Sequence, residues 1–308
     1  MKKFFLAFFC TLFLLTACST HKLESKPQPN NDLQQGISEY LQILCSDKMA
    51  GREGGTRGEA EAALYLAKFL QEKGLKPAGE GKTYFQAFSI NGYRPTLSGK
   101  RMAFYQDNSL PKKTSENVLA ILEGRTEEVI VISAHYDHLG IINGELYPGA
   151  NDNASGVSVV LEIINGLAGQ RPEKTILFAF WGSEEKGLWG SRYFCAQPTI
   201  PWERIKCMIN FDTVGNLEQK ILLGWLGSEN QLTQEIVEGL EEQGWQISWE
   251  DNSKHSSDHF PFAKKGIPSF TLLSPTWLEK NHTPLDTVKE IKIKPLEDLA
   301  HAFVHILK

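Results

Sequence analysis

Two histidines, three carboxylates and one spare glutamate stand out in this chain, spread over five short stretches, and three of those stretches directly follow an apolar run. They are His135 in Ser133-Ala134-His135-Tyr136-Asp137-His138, Asp152 in Gly149-Ala150-Asn151-Asp152-Asn153-Ala154-Ser155-Gly156, the pair Glu184-Glu185, Asp212, and His282. Imidazole nitrogen and carboxylate oxygen are ligands that zinc takes, and a catalytic ion keeps one position for water. Two ions about 3.5–4 Å apart can share a bridging carboxylate and a bridging hydroxide. The count suits such a pair: Asp152 as the bridge, His135 with Asp212 on one ion, and Glu185 with His282 on the other. Formal charge closes too, since two Zn2+ are balanced by three carboxylates and a hydroxide. Glu184 is left over, and a glutamate beside an activated water is placed to take its proton and pass it to a leaving amine. Adjacent side chains of an extended segment point opposite ways, which would turn Glu185 to the metal and Glu184 to the substrate.

Elements of two kinds must position these groups. The stretches Val129 to Ala134, Thr175 to Trp181, Ile205 to Phe211 and Ser269 to Leu273 are largely continuous apolar runs, the pattern of strands buried on both faces. Helical spacing covers Arg57 to Lys73 with Ala60, Ala63, Leu64, Ala67 and Leu70 on its apolar side, then Gly156 to Leu167, Gln231 to Gln243, and a last segment from Pro295. Alternating strands and helices predict a single α/β domain, a three-layer sandwich with a mainly parallel mixed sheet and helices on both faces. Open sheets of this kind carry their sites beyond the carboxyl ends of the strands. His135, Glu184-Glu185 and Asp212 each lie where a strand ends.

The N-terminus reads Met1-Lys2-Lys3, an apolar run from Phe4 to Leu15, then Leu15-Thr16-Ala17-Cys18. A positive start, a short apolar core and small residues before a cysteine predict a lipoprotein signal peptide over residues 1–17, with Cys18 as the lipidated terminus. The run is too short for a transmembrane helix, which needs about 20 apolar residues. Residues 18–32, rich in Pro, Asn, Gln, Ser and Lys, read as a tether, and residues 33–308 as the catalytic domain. The expected location is therefore a bacterial cell envelope, and Ser19 after the cysteine leans toward an outer membrane where two membranes exist. Loss of Lys2 and Lys3 moves the formal charge from −5 to −7, which leaves no electrostatic case for nucleic acid. With Cys10 and Cys18 set aside, Cys195 and Cys207 could pair in an oxidising compartment, leaving Cys45.

The motifs quoted above, with Met49-Ala50-Gly51-Arg52-Glu53-Gly54-Gly55-Thr56 near the start, Asn210-Phe211-Asp212, and His282-Thr283-Pro284-Leu285-Asp286-Thr287 near the end, resemble in the same order those of the co-catalytic dizinc exopeptidases, the family of aminopeptidase Y and the bacterial leucyl aminopeptidases. The resemblance implies the ligand roles given above, Glu184 as general acid/base, Asp137 hydrogen-bonded to His135 as its orienter, and a cis peptide at Asp152-Asn153. It implies peptide substrates with a free N-terminus. One departure is Asn281, where many aminopeptidases of the family carry a tyrosine whose hydroxyl stabilises the oxyanion. Two rival readings stand: a glutaminyl cyclase, which resembles this fold and works with one zinc, and a dizinc peptidase acting on C-terminal residues or other amides, with Arg192 and Arg204 the arginines near the motifs. Ser257-Asp258-His259 cannot form a triad from consecutive residues, and Ser257 to Phe262 reads as a loop flanking the substrate pocket. His138 and His255 read as structural or solvated, and His301 and His305 as surface or packing residues.

Overall fold

The computed structural model describes Met1 and residues 36–250 and 256–308. The signal peptide, Cys18, the tether and His255 lie outside the described residues. By its contacts the chain divides into Met1–Gln34 and Gln35–Lys308, and every strand and helix named below belongs to the second unit. No helix among the described residues is long and apolar enough to cross a membrane.

Thirteen strands are formed among the described residues: β1 (Lys76–Pro77), β2 (Phe85–Ile90), β3 (Tyr93–Ser98), β4 (Arg101–Gln106), β5 (Lys113–Leu122), β6 (Thr126–His135), β7 (Gly140–Ile142), β8 (Glu145–Tyr147), β9 (Lys174–Trp181), β10 (Ile205–Phe211), β11 (Ile221–Ser228), β12 (Gln246–Glu250) and β13 (Ser269–Leu273). Seven helices accompany them: α1 (Ile37–Leu44), α2 (Arg57–Glu72), α3 (Gly156–Leu167), α4 (Trp189–Ala196), α5 (Gln231–Glu242), α6 (His259–Lys264) and α7 (Ile293–Leu307). The main sheet runs β1-β5-β9-β6-β10-β13-β11-β12, with β2 also on β5. Its centre, β9-β6-β10-β13, is parallel, while β5 on one side and β11 on the other pair antiparallel with it. The sheet is thus mixed, and its parallel centre is the part that the continuous apolar runs predict.

Those runs are continuous because alternate residues enter two cores. Ile130, Ile132 and Ala134 of β6, with Ile176, Phe178 and Phe180 of β9, pack against α1, α2, α3 and α7 in the larger one. Val129 and Val131, with Leu177, Ala179 and Trp181, face the opposite core with Phe194 of α4 and Phe262 of α6. Cys207 belongs to the first core and Cys195 to the second, so the sheet lies between them and both are free thiols, as is Cys45. On α2 the buried stripe is Ala62, Ala63, Leu66, Ala67, Phe69 and Leu70, whereas Ala60 and Leu64 are exposed. The stripe expected from sequence is therefore rotated from the real one, because Ala60 and Leu64 share helical spacing with the buried set but sit at its edge. The flanking strands β2–β5, β11 and β12 are not among the strands expected from sequence, although β5 and β11 include apolar runs of their own at residues 118–122 and 221–223.

Candidate metal centre

The site starts at the end of β6. His135 is buried, and the segment after it is fixed from below by Arg52, whose guanidinium is 1% exposed and has no carboxylate partner among the described residues. Its Nε donates to the Tyr136 carbonyl (2.8 Å), Nη1 to those of Leu44 (2.7 Å) and Pro148 (2.8 Å), and Nη2 to that of Gly149 (2.9 Å). One planar fork thereby ties together the two loops that carry His135 and Asp152, a task suited to guanidinium geometry. Gly149 adopts φ +60°, and a Cβ there would lie 2.4 Å from the His138 ring. The Asp152-Asn153 bond is cis. Asp286 holds the same loop from the other side, accepting the N–H groups of Asn151 (2.7 Å) and Asp152 (3.0 Å).

The second turn follows β9. It is not extended: Glu184–Lys186 is a 3-10 turn, closed by the Gly187 and Leu188 N–H groups on the Glu184 carbonyl at 2.8 Å each. The two glutamates therefore separate by turn geometry rather than by strand alternation, and both line one cavity of about 290 Å³. Two buried carboxylates hold this turn. Asp137 accepts the N–H groups of Glu184 (2.8 Å) and Glu185 (3.3 Å); its approach to His135 Nδ1 is 3.6 Å, longer than the expected hydrogen bond because its lone pairs are already turned to the two amides. Glu59 of α2 accepts from Gly55 N–H (2.6 Å), Ser115 Oγ (2.7 Å) and Ser183 N–H (3.0 Å). Burial and the neighbouring Asp137 push Glu59 up to about 8 against the pull of these donors. Gly182 precedes the turn because a Cβ would sit 2.4 Å from the Glu116 carbonyl oxygen.

The donors meet around Asp152. Its Oδ1 is 3.3 Å from His135 Nε2, and that nitrogen is 3.5 Å from Asp212 Oδ1. Its Oδ2 is 3.0 Å from His282 Nε2, which is 2.9 Å from Glu185 Oε2. A tetrahedral ion with bonds of about 2.0–2.1 Å separates its ligands by about 3.3–3.4 Å, so the His135 spacings suit a shared ion better than a hydrogen bond. His282 Nδ1 donates to the Met102 carbonyl (2.7 Å), which leaves Nε2 of the neutral ring as the free lone pair. Among the described residues, two groups of donors lie within 4.8 Å of one another: His135 with Glu184 and Asp212, and His138 with Asp152 and Glu185. His138 is fully buried and sits 2.8 Å from Glu185 Oε1, the oxygen turned away from His282. It fixes the orientation of that carboxylate, a task its sequence context does not reveal.

Charge points the same way. The ion-pair partners of Asp152, Glu185 and Asp212 among the described residues are histidines alone, and Glu184 has none. Burial alone would lower both imidazoles, but Glu184 and Asp212 around His135, and Glu185 and Asp152 around His282, hold them well above the usual range. Burial, reinforced by Asp258, Glu185 and Asp212 and opposed by His135, raises Glu184 well above the carboxylate range. The buried excess of negative charge and the spacing of its donors fit divalent cations. His135, Asp152 and Asp212 could hold one, and Asp152, Glu185 and His282 another.

Three features read from the sequence are now placed. Ser257 to Phe262 is not a plain loop: α6 begins at His259, and the buried Ser257 hydroxyl donates to Asp212 Oδ2 (2.6 Å) while accepting from Asn210 Nδ2 (3.0 Å). Asn281 lines the cavity and donates its amide to Asp152 Oδ2 (2.6 Å). Arg204 bonds the Glu127 carbonyl and Arg192 lines a separate cavity; the arginine that does line the site is Arg101. Trp225, Trp277 and Leu273 form the apolar wall, and His301 and His305 are exposed on α7 as expected.

Fold and cluster together place the chain among α/β proteins built around a divalent-metal centre at the strand ends. Residues 117–307 match the sequence profile of Peptidase family M28, and the chain belongs to that family. Aminopeptidase YwaD of Bacillus subtilis (strain 168) is 28% identical over 224 residues, which is 68% of this chain and 48% of that protein. The chain spans about half the length of the curated relatives first matched. Among solved structures, the aminopeptidase from Aneurinibacillus sp. strain AM-1 superposes with a TM-score of 0.71 at 18% identity, covering 89% of this chain and 93% of that one. The Porphyromonas gingivalis glutaminyl cyclase superposes with a TM-score of 0.69 at 18% identity, covering 89% and 97%. At these identities the two structures share the fold.

Proposed function

We propose that this chain is a zinc-dependent aminopeptidase that binds two ions per subunit and removes N-terminal residues from peptides, displayed on a bacterial cell envelope by lipid on Cys18. The observation that carries the two-ion reading is Asp152, whose two oxygens face different histidines, each with its own second carboxylate. Membership of the M28 family and the names of the related aminopeptidases support the reaction class. The lipid anchor rests on the N-terminal sequence alone.

Zinc, when bound, supplies Lewis-acid polarisation of the scissile carbonyl and a water of lowered pKa. The residues of the chain do the rest. Glu184, which lines the cavity beside His135 and Asp212, takes the proton of the attacking water on its carboxylate and passes it to the leaving nitrogen. Asp137 and Glu59 keep that carboxylate in place through the backbone of its turn. The acidic interior draws in the substrate α-amine, and Trp225, Trp277 and Leu273 face its side chain.

Metal analysis together with turnover of aminoacyl p-nitroanilides tests this reading. Native protein is expected to carry two zinc equivalents at full activity, and Glu184→Gln to lose about 10²–10⁴-fold in kcat with its zinc retained. Full activity with one tightly bound zinc, and release of ammonia from N-terminal glutaminyl peptides, would instead favour the cyclase reading. Equal activity of native protein and Glu184→Gln removes Glu184 as the base.

A further inference from the structure

The strands β3 and β4 form a two-stranded hairpin separate from the main sheet, and it is fastened to the metal centre at two points. Met102 N–H donates to the His282 carbonyl (3.1 Å), and His282 Nδ1 donates back to the Met102 carbonyl (2.7 Å). On β3 the Tyr93 hydroxyl accepts from Trp189 Nε1 (2.8 Å), and Lys186 lies 4.8 Å from the centre of the Phe104 ring of β4. These contacts fix the residue beside Met102, which is Arg101. Its side chain lines the same cavity as His135, Asp152, Glu184 and Glu185.

Arg101 is half-buried, and its guanidinium makes no hydrogen bond or ion pair among the described residues. Most other arginines are engaged: Arg52 with four carbonyls, Arg57 with Glu61, Arg94 with Asp107, Arg125 with Glu173. A guanidinium offers a planar fork matched to a carboxylate. Here it stands in a cavity full of carboxylates and pairs with none, so its charge is left for something that enters.

What enters can be divided by charge. The substrate α-amine belongs with the acidic cluster, and arginine repels it. The N-terminal side chain has the apolar wall. A cavity of about 290 Å³ is at the low end of ligand sites, which span about 300–1,000 Å³, and so takes a molecule of dipeptide size. The remaining partner for Arg101 is therefore an anion on the residue that comes after the scissile bond.

We propose that Arg101 is a specificity-determining residue that takes a carboxylate on the residue after the scissile bond, which makes dipeptides or peptides with an acidic second residue the preferred substrates. The proposal rests on the aminopeptidase reading. Its carboxylate has two sources, the free C-terminus of a dipeptide or an Asp or Glu side chain, and two substrate pairs separate them. Zinc-loaded protein and Arg101→Ala are compared on Leu-Gly against Leu-Gly-amide, and on Leu-Glu-amide against Leu-Gln-amide.

Native protein is expected to favour the carboxylate-bearing member of one pair by about 10–100-fold in kcat/KM, the range of a hydrogen-bonded charge. In Arg101→Ala that ratio falls to near one, and Arg101→Lys recovers part of it. A ratio confined to the first pair identifies the C-terminal carboxylate; one confined to the second identifies the acidic side chain. Ratios near one in the native protein for both pairs, or ratios unchanged in Arg101→Ala, overturn the proposal. Calorimetric binding of the same four compounds to zinc-loaded Glu184→Gln, with and without Arg101→Ala, reads the preference without turnover. If nothing is cleaved but the affinity ratio depends on Arg101, the aminopeptidase reading fails while the carboxylate site stands.

Discussion

Removing one hydroxyl, in Ser257→Ala, is expected to loosen one metal and spare the other. Ser257 Oγ donates to Asp212 Oδ2 at 2.6 Å in a fully buried setting. A hydrogen bond to a charged acceptor contributes about 1.5–3 kcal/mol, which corresponds to about 10–150-fold in an equilibrium constant. Loss of a partner that orients a metal-ligating carboxylate costs about 10–100-fold in affinity, so two independent routes give the same size. The neighbouring Asn210 loses one acceptor for Nδ2 but keeps Thr271 Oγ1 (3.3 Å) as the other, and its Oδ1 still accepts from Ser133 Oγ (2.8 Å). The Ser257 hydroxyl bonds Asp212 and Asn210 rather than Asp152, Glu185 or His282, so the ion held by those three should be unaffected. Competition with a chromophoric chelator would resolve two zinc affinities, the one served by Asp212 weakened about 10–100-fold and the other unchanged. Activity should fall with occupancy and return in excess zinc, and Ser257→Thr, which keeps the hydroxyl, should restore part of the affinity. Two affinities within twofold of the native values, or both weakened alike, would sever Ser257 from the metal and leave it as packing.

Two more outcomes come from buried charges that support the site from outside it. Arg52→Lys keeps the charge but loses the fork that spans four carbonyls, so the variant should lose about 3 kcal/mol or more of stability; a melting temperature within about 2 °C of the native protein's would contradict this. Glu59 is raised to about 8 from an ordinary 4.5, so the folded state holds its proton more tightly than the unfolded state does. Its contribution is complete below about pH 4.5 and is lost as pH rises to about 8. In unfolding free energy Glu59→Gln, which mimics the protonated carboxyl, should therefore lie nearest the native protein at the acid end of that window and gain stability relative to it as pH rises to about 8, and a difference independent of pH would rule the shift out.

The depth to which the site is legible in sequence depends on how each group is held. His135, Glu184-Glu185 and Asp212 can be found because a parallel strand buried on both faces writes itself as an unbroken apolar run, and the first polar residues after it must leave the sheet on one side. The conformation of the Glu184-Glu185 turn cannot, since it is set by N–H contacts to Asp137 and Glu59 from distant segments. Arg52 and Asp286 lie inside stretches whose motifs stand out, yet their partners are carbonyls and amides, which leave no trace in residue identity. Arg101 gives no signal at all: the hairpin that carries it alternates weakly and is largely exposed, and only its docking on His282 brings it to the cavity.

Residue order alone thus dictates the donor types, their succession and the layered α/β class, because periodicity and ligand chemistry are local properties of residues. Packing in three dimensions settles which oxygen of Asp152 faces which histidine, that His138 and Ser257 orient carboxylates rather than float in loops, that Asn281 is committed to Asp152, and that Cys195 and Cys207 are kept apart by the sheet. Each of these is a distance between segments far apart in the chain, and such distances are fixed only when both cores close around the sheet.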